Sequence, residues 1–128
     1  MRHSIQSVVC LGALFAVALA ISTGSARAWD HYGAIAYSSD TKGWGTSYDD
    51  ASRGLAEAWA MSRCSASGDQ GCRVVLWFKN ACGALVVGPG GSGWGWAYAR
   101  GTAERIALNQ CNANGSGCQI QAWACTTR

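Results

Sequence analysis

The sequence predicts an α+β domain made of two fused β-β-α-β repeats, with helices packed on antiparallel sheet and three disulfides crosslinking the chain. Three observations carry that expectation. The two halves of the chain match each other in order. Each half runs through two short β-rich stretches, an alanine-rich helical stretch and a last apolar strand. Six cysteines remain once an N-terminal leader is set aside.

The leader comes first. Arg2 precedes an apolar run from Val8 to Ile21, which is shorter than the roughly 20 residues a membrane span needs. Small residues follow, and Ala26-Arg27-Ala28 has the form read by a signal peptidase. Residues 1–28 are therefore expected to be a cleaved signal peptide and residues 29–128 a single disulfide-stabilised domain, secreted or periplasmic. Cys10 stands near the start of the apolar run rather than at its end, which excludes lipidation.

The repeat spans about 32–80 and 82–125. Gly33-Ala34, Gly43-Trp44-Gly45 and Tyr48 match Gly83-Ala84, Gly93-Trp94-Gly95 and Tyr98 at an offset of 50. Arg53-Gly54, Ala56-Glu57, Ala60 and Cys64 match Arg100-Gly101, Ala103-Glu104, Ala107 and Cys111 at 47. Gly71-Cys72 and Trp77 match Gly117-Cys118 and Trp123 at 46. The register slips fall where loops tolerate a change in length.

Each element follows from local chemistry. Tyr32–Tyr37 and Cys82–Val87 are β-rich and followed by turn-prone stretches, Ser38 to Lys42 and Gly88 to Ser92. Hairpins result, with returning strands Trp44–Tyr48 and Trp94–Tyr98. Ala56, Trp59, Ala60 and Cys64 fall on one helix face, as do Ala103, Ile106, Ala107 and Cys111. That places Trp59 in the core. Ser52 is a good N-cap, whereas its counterpart Ala99 is a poor one. Faces built from alanine predict helices lying close against sheet. The last strands, Val74–Phe78 and Ile120–Ala124, are read as alternating, with Val74, Leu76 and Phe78 sharing one face and Val75 and Trp77 the other.

Six cysteines allow fifteen pairings, and the repeat selects among them. Cys64 ends one helix and Cys72 opens the next strand, while Cys111 and Cys118 hold the same places in the second half. Cys64 is paired with Cys72, Cys111 with Cys118, and the remaining Cys82 with Cys125, which requires the strands carrying them to be neighbours. Without a Cys-x-x-Cys pair and with His31 as the sole histidine after the leader, a zinc site is not expected.

Composition narrows function. Hydrophobic residues make up 49% and charged residues 13% of the chain, which excludes a disordered, highly charged class. The formal charge of +3 falls to +1 without Arg2 and Arg27, which gives no electrostatic reason to expect nucleic acid as a partner.

Tyr32-Gly33-Ala34-Ile35-Ala36-Tyr37, the Ala56-Glu57 helix ending at Cys64, Cys72 before an apolar strand, Cys82-Gly83-Ala84 and Trp123-Ala124-Cys125 occur in order. Together they resemble a bacterial family of small exported proteins, domain-of-unknown-function family 4189, over residues 31–126. The resemblance implies a secreted or periplasmic protein, with some members acting as effectors on host cells. It carries over no catalytic residue. Cys111 and Cys118, which some relatives lack, take a structural reading.

Candidate chemistry is sparse. Gly88-Pro89-Gly90-Gly91-Ser92-Gly93 satisfies G-x-G-x-x-G, but Trp94-Gly95-Trp96 follows instead of the helix that would hold a pyrophosphate. His31 sits close to the expected new N-terminus, a poor place to hold a catalytic base rigidly. Asp49-Asp50, Glu57 and Glu104 are the available carboxylates, and they read respectively as helix-end charges and as exposed partners of Arg53 and Arg100. Asn114-Gly115-Ser116 reads as a polar loop between cysteines, and Asp40, Asp49 and Asp50 lack calcium-loop spacing. No enzyme activity, cofactor or metal is expected.

The seven tryptophans are the functional lead. Trp44, Trp94 and Trp96 form the candidate binding surface; cross-strand packing is the favoured reading of Trp44 and Trp94, and Trp96 is the expected exposed ring because its counterpart is Thr46. The expected function is binding a protein partner at the cell envelope or on a host cell, as an effector or a hydrolase inhibitor. A glycan-binding module is the alternative, and a carboxylate-dependent hydrolase a minor one.

Overall fold

The computed structural model of the protein describes residues 29–127. The expected leader, residues 1–28 with Cys10, lies outside the described residues. Eight elements follow in order: β1 (Tyr32–Tyr37), β2 (Trp44–Asp50), α1 (Arg53–Ser65), β3 (Arg73–Lys79), β4 (Cys82–Gly88), β5 (Gly91–Ala97), α2 (Arg100–Asn114) and β6 (Gln119–Cys125). The β-β-α-β pattern thus occurs twice. Each half makes its own antiparallel three-stranded sheet, ordered β2-β1-β3 and β5-β4-β6.

The sheets stack face to face, with one helix on each outer face. Ile35, Tyr37, Phe78, Leu85, Ala122 and Ala124 fill the space between the sheets. Ala34 and Ala36 face outward onto Ala56, Ala60 and Cys64 of α1. Ala84 and Val86 do the same onto Ala103, Ala107 and Cys111 of α2. The layer order is therefore α1, first sheet, second sheet, α2.

The helices lie almost backbone to backbone on the sheets. A Cβ at Gly45 would collide with the Ala60 carbonyl and the Cys64 amide, and one at Gly93 with the Ala107 carbonyl and the Cys111 amide. Only an alanine stripe fits so small a gap, which corrects the expectation for Trp59. The α1 residues buried against the sheet are Ala56, Ala60 and Cys64, and Trp59 is 52% exposed. Its position is on the flank of the stripe, where a large ring has nowhere to enter.

Two register shifts amend the strand reading. In β3 the partners of Ile35 and Ala36 are Leu76 and Val74, so Val75 is an extra residue, and Gln121 is its equivalent in β6. Such a bulge breaks alternation. Val74 therefore pairs beside Ala36 on the helix side, while Val75 packs with Leu76 and Phe78 between the sheets. The second hairpin is also tighter than expected. Gly88 pairs with Gly91, which leaves Pro89-Gly90 as the turn and starts β5 at Gly91.

Ser52 Oγ accepts a hydrogen bond from the Leu55 amide at 3.2 Å, whereas Ala99 offers α2 no side-chain cap. Asp49 and Asp50 do not serve the helix end; they finish β2. Gly71 and Gly117 adopt left-handed backbone, φ 74° and 66°, just before Cys72 and Cys118, turning the chain from each helix into the following strand. All three expected disulfides form: Cys64–Cys72, Cys111–Cys118 and Cys82–Cys125. Cys82 and Cys125 are direct partners across β4 and β6.

Gly93→Ala is expected to lower stability by about 3 kcal/mol, the upper range for overpacking. Gly101→Ala, where a Cβ meets open space, is expected to be neutral or to stabilise by up to about 1 kcal/mol. Urea unfolding of the two variants checks both. Replacing Cys82 and Cys125 together by serine should cost about 4 kcal/mol, against about 2.5 kcal/mol for Cys64 and Cys72, because the first bridge closes the longer loop.

Candidate functional site

A cleft of about 470 Å³ opens where the edge strand β3 of one sheet stands over the edge strand β5 of the other. Val75, Leu76, Trp77, Phe78 and Lys79 line it from β3, and Trp96 and Tyr98 from β5 and its end. Phe78 forms the floor. Its ring occupies the places where Cβ atoms on Gly33 and Gly83 would sit, so the repeated Gly-Ala dipeptides of both central strands serve one phenylalanine.

Aromatic walls and paired charges surround the opening. Trp96 is 49% exposed and meets Tyr98 edge-on, with ring centroids 5.9 Å apart. Trp77, 39% exposed, lies 6.4 Å from the Tyr32 ring. The Arg53 guanidinium sits 4.5 Å over Trp77, while Arg53 Nε bonds Glu57 Oε1 at 2.7 Å. Lys79 Nζ stands 5.8 Å over Tyr32 and 3.0 Å from Asp30 Oδ2. Hydrogen bonding to Lys79 and to Asn80 holds the Asp30 carboxyl below its ordinary value, and Asp30 raises the Lys79 ammonium above its own.

The second half repeats the arginine, glutamate and tryptophan trio. Arg100 stacks 3.6 Å over Trp123 and bonds Glu104. Arginine on tryptophan is a favourable cation–π contact, and the carboxylate fixes the guanidinium in place. Glu57 and Glu104 are therefore half-buried beneath their arginines rather than standing on exposed faces, a correction to the sequence reading. The signal was present in matched positions of the two halves, but only tertiary folding brings Trp77 and Trp123 to the helices.

The three tryptophans singled out from sequence are not one surface. Trp96 lines the cleft. Trp94 packs against the inter-sheet core, and its amide donates to Gln110 Oε1 at 3.0 Å. Trp44 lies on β2, which β1 separates from β3. That opposite edge differs throughout. Where the cleft has Trp96, Val75 and Phe78, the repeat places Thr46, Gln121 and Ala124. Thr127 also donates its amide and hydroxyl to the two carboxyl oxygens of Asp49 at 2.7 and 2.8 Å.

The remaining candidates are placed as follows. His31 Nδ1 is 3.7 Å from Asp49 Oδ1. Contrary to the expectation of a loose terminus, the His31 backbone is pinned by its amide to Asn80 Oδ1 and by its carbonyl to the Asn80 amide. Asp49 and Asn80 take left-handed backbone, φ 59° and 48°, at this junction. Among the described residues no cluster of three or more His, Cys, Asp or Glu side chains is placed to hold a metal ion. No helix among them is long and apolar enough to cross a membrane.

Residues 32–125, the two repeats from β1 to the last cysteine, match the family described as Domain of unknown function (DUF4189). The chain belongs to this family. Two mycobacterial relatives resemble this DUF4189 domain: Protein Rv1269c of Mycobacterium tuberculosis and Protein Mb1300c of Mycobacterium bovis. Each is 37% identical over 100 residues, covering 78% of this chain and 73% of the relative. The NMR structure of Rv1813c from Mycobacterium tuberculosis superposes on the DUF4189 domain with a TM-score of 0.56 at 25% identity. It covers 96% of this chain and 99% of that one.

The Asp30–Lys79 pair gives a pH prediction. With the Asp30 pKa depressed in the fold, its contribution to stability is present above the unfolded carboxylate value and lost as pH falls through the folded one. With the Lys79 pKa raised, that contribution is present below the unfolded lysine value and lost as pH rises through the folded one. In an NMR titration the Asp30 carboxyl should have its midpoint below 3.8 and move upward in Lys79→Met.

Proposed function

We propose that this DUF4189 domain is an exported, non-catalytic binding module that engages a protein partner at the cell envelope or on a host cell, as an effector or a hydrolase inhibitor. The observation that carries this reading is the cleft between β3 and β5, open, mainly apolar and walled by Trp77, Trp96 and Tyr98. Aromatic residues around a desolvated pocket are the commonest source of binding energy at protein interfaces. The three disulfides fit an oxidising compartment and a scaffold whose surface keeps its shape.

A glycan ligand is less well supported. Sugar hydroxyls need several directed donors and acceptors around a stacking ring, and the cleft lining is dominated by Val75, Leu76, Phe78 and the aromatic rings. The carboxylates suited to hydrolysis are engaged elsewhere: Glu57 and Glu104 with arginines and Asp49 with Thr127.

The test is quantitative capture from envelope or host extract with the oxidised protein and three variants. A partner bound through the cleft should lose about 30-fold in affinity with Trp96→Ala, a hot-spot loss of about 2 kcal/mol. It should be retained within about threefold by Trp44→Ala and Glu104→Gln. Equal capture by all variants would overturn the cleft as the binding site, and a tryptophan fluorescence change on adding oligosaccharides with no protein captured would overturn the protein-binding reading.

A further inference from the structure

The lining of the cleft has an unusual pattern. Val75, Leu76, Trp77, Phe78 and Lys79 are five consecutive residues of one strand. Val75, Leu76 and Phe78 project between the sheets and Trp77 and Lys79 from the helix side, so a wall made by all five is a strand edge. Among the described residues β3 pairs with β1 on one side only. Its other side, with alternate backbone amides and carbonyls, borders the cleft.

The ends of that edge are charged. Arg73 and Lys79 are both exposed and flank Val74 to Phe78. Basic residues on an edge discourage self-pairing. In an antiparallel pairing of two copies centred on Leu76, Arg73 of one copy would face Lys79 of the other, and like charges directly opposite destabilise a strand pair. A strand with carboxylates at both ends is complementary instead. Asp30, already bonded to Lys79, shows the chemistry that this end accepts. The equivalent edge, β6, has Gln119 and Cys125 in the places of Arg73 and Lys79, so the basic clamp belongs to β3 alone.

We propose that the partner is recognised by strand addition. An extended apolar segment, with acidic residues about five positions apart and on opposite faces to match Lys79 beside Tyr32 and Arg73 beside Tyr37, hydrogen-bonds along the free edge of β3 and sets its inward side chains against Phe78 and Trp96. The proposal deepens the reading of the cleft as a protein-binding site and rests on it. Main-chain pairing supplies the backbone, Arg73 and Lys79 set register and direction, and the aromatic walls select side chains. Asp30 acts as an internal competitor for Lys79.

The probe is a blocked synthetic peptide, Asp-Val-Thr-Val-Thr-Glu, titrated into the oxidised protein and followed by amide hydrogen exchange and tryptophan fluorescence. Binding should protect amides within Val74–Phe78 and be at least about tenfold tighter than for the same peptide with lysine ends. The double variant Arg73→Glu, Lys79→Glu should reverse that preference, and Asp30→Asn should tighten binding of the acidic peptide severalfold at low salt. Methylating one set of alternate peptide amides should abolish binding, whereas methylating the other set should be tolerated.

Absence of binding by the acidic peptide overturns strand addition, as does binding indifferent to both methylation patterns. If the peptides fail while a captured partner still depends on Trp96, strand addition falls and the cleft remains the binding site. If the captured partner is indifferent to Trp96, the cleft reading itself falls.

Discussion

The contact on which the rest of the structure depends is helix backbone lying against sheet backbone. Gly45 and Gly93 remove the last side-chain atoms from β2 and β5 where α1 and α2 cross, and alanine with one cysteine per helix completes the seam. Close approach gives dense packing without large residues. It also denies large residues any place in the two outer layers. That is why a chain with seven tryptophans keeps Trp59, Trp77 and Trp123 partly in solvent. Trp77 and Trp123 are covered by arginines instead, each held by a glutamate one helical turn on.

The space between the sheets follows the opposite rule and needs volume. The two halves do not share that task equally. Phe78 supplies a ring that lies over glycines of both central strands, while its counterpart Ala124 supplies only a methyl group. Large residues accordingly gather on the side where β3 stands over β5. The other side carries Thr46, Gln121 and the Asp49–Thr127 hydrogen bonds. Two halves alike in backbone thus present unlike edges, one drawn in by polar bonds and one open and aromatic.

Much of this was legible from residue spacing. The helix faces, the Ser52 cap, the hairpins and the disulfide partners depend on local periodicity and on matching positions in the two halves. What failed did so for tertiary reasons. Trp59 fits a helical apolar face by spacing, but the width of that face is set by the sheet it meets. Val74 fits alternation, but a bulge at Val75 adds a residue that no local signal marks. Spacing sets Trp96 apart from Trp44 and Trp94, but only sheet stacking sends Trp44 to one edge and Trp96 to the cleft at the other.

By itself the sequence determined the β-β-α-β order in each half, the family and the three crosslinks, because these rest on short-range chemistry and on repetition along the chain. Tertiary structure alone decided that there are two sheets rather than one, which edge stays open, and which rings line it. Those outcomes depend on contacts between residues far apart in the chain, above all Phe78 against Gly33 and Gly83 and β3 over β5. Spacing along one strand carries no information about what lies across a cleft from it.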